Sequence, residues 1–105
     1  MNKALLVALT LSSLAACTAA LPHATGADAA RLNATYPGAT VAGLEHGRSL
    51  YVERCAGCHE LREPSSQTPL AWPTLVAEMR DEHGVHLTTD EERGIVAYLV
   101  SVSSR

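Results

Sequence analysis

The chain has 105 residues, of which 47% are hydrophobic, 18% charged and 4% aromatic, with 7 Gly, 5 Pro and 3 Cys. That length holds one domain at most. The formal charge of −3 provides no basic field for a phosphate backbone, so nucleic acid is not an expected partner. A single Trp, three Tyr and no Phe are too little to build a large core unaided, so something besides aromatic packing is expected to hold the fold.

The amino end has one positive charge at Lys3, a short apolar run from Ala4 to Leu11, and then small residues, the layout of a secretory signal. The run is far shorter than the roughly 20 residues that cross a bilayer. Leu14-Ala15-Ala16-Cys17 resembles the bacterial lipobox, which implies cleavage after residue 16 and acylation of Cys17; the alternative is a soluble secreted protein whose Cys17 carries no lipid. Several acyl chains on one residue exceed the two signals that stable anchoring requires. Loss of residues 1–16 removes the only lysine and leaves seven arginines, making the mature chain more acidic. Export also means an oxidising compartment, where neighbouring thiols tend to pair.

Residues 17–42 are rich in Ala, Thr, Gly and Pro without sustained periodicity and are expected to be a flexible tether of several nanometres. A short helix near Asp28 to Asn33 is compatible with it, ended by Pro37-Gly38. The domain is then expected over 43–105. Its first helix places Gly43, Gly47, Leu50 and Tyr51 on one face, the two glycines admitting another backbone. A polar loop follows over Glu60 to Pro69 and is expected at the surface.

The next helix starts at Trp72-Pro73 and stops at Gly84, with Trp72, Leu75, Val76 and Met79 on its apolar face. The last has a capping box, Thr88 with Glu91 or Thr89 with Glu92, and buries Ile95, Tyr98, Leu99 and Val102. With no competing strand pattern, the fold class is all-α. No internal repeat is present.

Between the first two of these helices lies Cys55-Ala56-Gly57-Cys58-His59, the C-x-x-C-H pattern of covalent haem attachment. Two thiols three positions apart reach the two vinyl groups of one porphyrin edge, and the adjacent imidazole of His59 becomes an iron ligand. Zinc would need four ligands and there is no second Cys pair; a thioredoxin-like pair would need a βαβ setting; a plain disulfide is the remaining alternative. No paired carboxylates, nucleophile triad or phosphate loop is present, and the chain is not expected to be an enzyme.

Gly47-Arg48-x-Leu50-Tyr51-x-x-x-Cys55-Ala56-x-Cys58-His59 together with Leu87-Thr88-x-x-Glu91-x-x-x-Ile95-x-x-Tyr98-Leu99 resembles class I mono-haem cytochromes c. The stretch Trp72-Pro73-x-Leu75-Val76-x-x-Met79 is similar to the small haem domains associated with quinohaemoprotein dehydrogenases. The resemblance spans about Gly43 to Ser101. It implies a small cytochrome c fold wrapped around one covalent haem c, with Gly47, Tyr51 and Tyr98 at the crossing of the two terminal helices. It also implies an apoprotein that is mostly unfolded, since the haem supplies the missing apolar surface.

In that family the second axial ligand is usually a Met between the motif and the last helix, which here implies Met79. His83 and His86 are alternatives, as is an open or water-bound position. His46 and His23 are expected elsewhere, on a solvated face and in the tether. Trp72 and an arginine such as Arg62 or Arg80 are candidates for a haem propionate, with plain packing and solvation as the alternative.

The function implied is one-electron transfer at the periplasm-facing surface of a bacterial membrane, between periplasmic or membrane redox proteins. A haem-based sensor or enzyme for NO, CO or peroxide requires an open or His-ligated distal position. A structural lipoprotein without haem is the third alternative.

Overall fold

A computed structural model describes residues 21–56 and 60–105. The expected signal, Cys17, Cys58 and His59 lie outside the described residues. The elements are α1 (Gly26–Asn33), α2 (Val41–Cys55), a 3-10 turn (Pro64–Ser66), α3 (Trp72–Glu82) and α4 (Thr89–Ser103). The described chain is all-helical, as expected, and no helix in it is long and apolar enough to cross a membrane.

The last helix is the hub. Thr88 caps it in the first of the two expected registers: its hydroxyl accepts from the Glu91 N–H at 3.1 Å, and the Glu91 carboxylate accepts from the Thr88 N–H at 3.1 Å. Ile95, Tyr98, Leu99 and Val102 are all buried, as the 3.6-residue period requires. Helix α4 packs most extensively on α2 and also touches α1, α3 and the 3-10 turn.

On α2 the buried face is Leu44, Gly47, Leu50 and Tyr51. Gly43, expected on that face, is instead exposed in the first turn of a helix that starts two residues earlier than expected; its N–H donates to the capping Thr40 hydroxyl at 3.0 Å, and Leu44 takes the inward position. Gly47 does admit another backbone. A Cβ there would overlap the Gly94 carbonyl, 2.8 Å from its carbon, and lie 3.1 Å from Tyr98 Cβ. Gly94, which the periodicity did not mark, is thus the other half of the crossing.

The tether expected over 17–42 is a folded part of the domain from Leu21 onward. Thr25 and Asp28 form a second capping box, at 3.3 and 2.8 Å, and start α1, which buries Ala29 and Leu32 against Leu44. The helix ends at Asn33 with Ala34 as its C-cap, ahead of Pro37-Gly38, which lie in the turn that follows instead of ending it. The Asn33 side chain closes the turn, accepting from the Gly38 and Ala39 N–H groups at 2.7 and 2.9 Å and donating to the Ala29 and Ala39 carbonyls.

The loop over Glu60 to Pro69 is not wholly superficial, because Pro64 is buried and its carbonyl accepts from the Trp72 indole at 3.0 Å. Helix α3 begins at Trp72 with Pro73 in its first turn and ends before Gly84, whose φ of 69° reverses the chain.

Candidate haem-binding cleft

Helices α2 and α3 both rest on α4 with their own backbones held apart. Between them is a partly open cleft of about 380 Å³. Its wall is mostly apolar: Tyr51 and Cys55 from α2, Trp72, Leu75, Val76 and Met79 from α3, and Val85 and Leu87 from the loop before α4. The expected apolar face of α3 therefore lines the cleft along its length, with Trp72 and Val76 buried and Leu75 and Met79 half-buried.

Two aromatic rings brace one end. Tyr51 and Trp72 meet edge to face, with centroids 6.2 Å apart and planes at 76°. The Tyr51 hydroxyl donates to the Arg62 carbonyl at 2.7 Å, and burial pushes its pKa up to about 12, so it remains a neutral donor. The indole N–H of Trp72 is committed to Pro64, which leaves this side chain a structural brace and not the propionate donor considered from sequence.

Of the C-x-x-C-H motif, Cys55 is the described member. It is the last residue of α2 and half-buried in the cleft wall, and burial raises its thiol pKa, keeping it protonated in the absence of a partner. Cys58 and His59 follow within four residues and lie outside the described residues.

The three distal candidates separate. Met79 and His83 line the cleft and His86 does not. His83 caps the end of α3 and is exposed, whereas Met79 is half-buried within the helix. His46 is exposed on α2, and exposed His23 bonds Glu45 at 3.0 Å.

Charged groups form the rim. Arg62 lines the cleft, but Arg80 is turned away, held by Asp81 at 2.7 Å and by Glu92. Arg54 was not anticipated, although it directly precedes Cys55 in the last turn of the same helix. It lines the cleft and pairs with Glu91 at 2.6 Å, joining the end of α2 to the capped start of α4. Glu78 lies on the rim as well.

These residues fit a flat, largely apolar cofactor attached through a thiol: the volume lies in the range of about 300–1,000 Å³ usual for cofactor pockets, and Cys55 stands in its wall. In comparisons with known proteins the chain matches no family model, no curated protein and no solved structure.

Proposed function

We propose that the chain is a lipid-anchored, periplasm-facing carrier of single electrons with one covalent haem c in the cleft between α2 and α3. The observation that supports this is the meeting, in one apolar cleft, of the first cysteine of C-x-x-C-H and the only methionine downstream of the signal. Cys55 and Cys58 would hold the porphyrin covalently, His59 would be the proximal iron ligand and Met79 the distal one. The bound haem supplies a ferric/ferrous couple whose potential depends on the axial ligands and on burial.

The surrounding residues have separate tasks in this reading. Trp72, Leu75 and Val76 exclude water from one wall, and the Tyr51–Trp72 brace fixes the separation of α2 and α3. Arg54 and Arg62 place positive charge at the rim, where anionic propionates are best stabilised. The carrier transfers electrons and catalyses no reaction of its own. Its donor and acceptor are redox proteins of the periplasm or membrane, and its anchor is acylated Cys17.

His83 supports a second reading, because it lines the same cleft. Histidine ligation, or an open distal position, would suit a sensor or enzyme acting on NO, CO or peroxide. Optical spectra of oxidised and reduced holoprotein decide between them. The carrier reading expects covalent haem on a denaturing gel and a low-spin spectrum with the long-wavelength band of sulfur bound to ferric iron. Covalent haem with a high-spin spectrum that shifts on adding CO or NO would replace it with the sensor reading. Absence of haem stain would remove both.

A further inference from the structure

Ahead of α1 the chain is strapped down group by group. The Leu21 carbonyl accepts from Arg48 Nε and Nη2 at 3.2 and 3.0 Å, the Pro22 carbonyl from the Tyr98 hydroxyl at 2.7 Å, and the His23 carbonyl from Arg105 Nη2 at 2.7 Å. The Ala24 N–H donates to Glu45 at 2.6 Å. These partners come from α2, from α4 and from the residue that ends the chain, so the strap crosses three parts of the fold. The Leu21 side chain adds to this by packing on the hydrophobic cluster that contains Tyr51, Trp72 and Val76, the same residues that wall the cleft.

We infer that the domain is leashed against the lipid surface by a few residues, and that its redox partners are proteins whose electron-exchanging groups lie at the surface of that same membrane. The inference rests on the reading of Cys17 as the acylated residue. Only three residues separate Cys17 from Leu21, and four extended steps span at most about 14 Å. A free tether over the whole of 17–42 would instead let the domain range over several nanometres. The strap removes that freedom, because moving the domain outward requires breaking the bonds to Leu21, Pro22, His23 and Ala24 together. A short leash confines encounters to two dimensions and favours a partner that is itself embedded in, or lies flat on, the bilayer.

The test uses the mature holoprotein, processed from its own signal, in lipid nanodiscs containing nitroxide-headgroup lipid. Amide line broadening is read residue by residue. The expected result is broadening strongest at residues 21–25 and at their α2 and α4 partners, and its loss when a spacer of about 15 Gly and Ser residues, with roughly 20 Å of mean reach, is inserted between Ala20 and Leu21. Acylated protein lacking that broadening, or keeping it with the spacer, overturns the leash while leaving the lipid anchor standing. A mass spectrum showing unmodified Cys17 overturns both. Haem staining of the same sample reports on the haem reading independently.

Discussion

The two flanks of α4 are built on opposite principles. On the α1 flank polar groups are matched: buried Asp28 accepts from Thr25, from Arg31 at 2.6 Å and from Arg105 at 2.6 and 3.0 Å, and Arg31 also reaches the Ser101 carbonyl. Among the described residues no buried side-chain nitrogen or oxygen lacks a partner. On the α3 flank α2 and α3 touch through Tyr51 and Trp72 while their backbones stay apart, and Leu75, Met79, Val85 and Leu87 are left half-buried around a cavity. A cavity wall forfeits contacts that a filled core would make, which opposes folding. The difference teaches that matched ion pairs and the glycine crossing close one side of α4, while the side between α2 and α3 is left as an apolar cavity.

Met79→Ala breaks the comparison on the cleft flank and has the largest expected effect, because ligation is all or none. On the proposed haem reading it should abolish the sulfur-to-iron band, turn the haem high-spin or His83-ligated, and lower the potential, since a thioether favours the ferrous state. Spectra and redox titrations of Met79→Ala, His83→Ala and His86→Ala are the check. His86→Ala should match wild type, because His86 is outside the cleft. Retention of the band by Met79→Ala would make Met79 a packing residue.

Gly47→Ala strikes the support of both flanks. The new methyl would meet the Gly94 carbonyl, which belongs to a helix backbone and cannot rotate away. Overpacking of this kind costs about 3 kcal/mol, read by chemical denaturation.

Asp28→Asn follows on the α1 flank. Asp28 is 1% exposed, and the Arg105 guanidinium beside it, aided by Thr25, holds its carboxyl well below the ordinary 3.8. The unfolded chain therefore binds the proton more readily, so the carboxylate's contribution is fully present above about pH 4 and is lost as the pH falls from there toward the depressed folded value. Both guanidinium partners are about two-fifths exposed, which limits the loss in Asp28→Asn to about 2 kcal/mol at pH 7. Acid titration of stability should show the wild type losing its advantage over the variant below pH 4.

Helix α4 was legible from sequence almost to the residue, because a capping box and a clean apolar period agree. Helix α3 was legible for the same kind of reason, with Pro at its start and Gly at its end. The short helix near Asp28 to Asn33 could be named, and α1 spans Gly26–Asn33, but its docking and the folded strap ahead of it could not. Their stability comes from Arg48, Tyr98 and Arg105, residues 27, 76 and 82 positions from the groups they bind, and no local pattern carries such pairings. At the cleft, Cys55, Trp72 and Met79 could be named from motif and period. Arg54 could not, since a charged residue at a helix end reads as solvated until Glu91 is seen to face it.

Gly94→Ala has the smallest expected effect and sharpens the lesson of the crossing, because it should act with the opposite sign to Gly47→Ala. A Cβ on Gly94 would lie 3.9 Å from Gly47 Cα and 3.9 Å from Leu50 Cδ1, which is ordinary contact. The residue sits inside α4, where glycine costs roughly 0.5–1 kcal/mol relative to alanine through the entropy of the unfolded chain. The close approach is thus asymmetric: Gly47 must lack a side chain, whereas Gly94 contributes only its carbonyl, which alanine also has. Denaturation of Gly94→Ala should show a gain of about 0.5 kcal/mol with an unchanged haem spectrum. A loss comparable to that of Gly47→Ala would mean that the helices cross more closely at Gly94 than the structure has them.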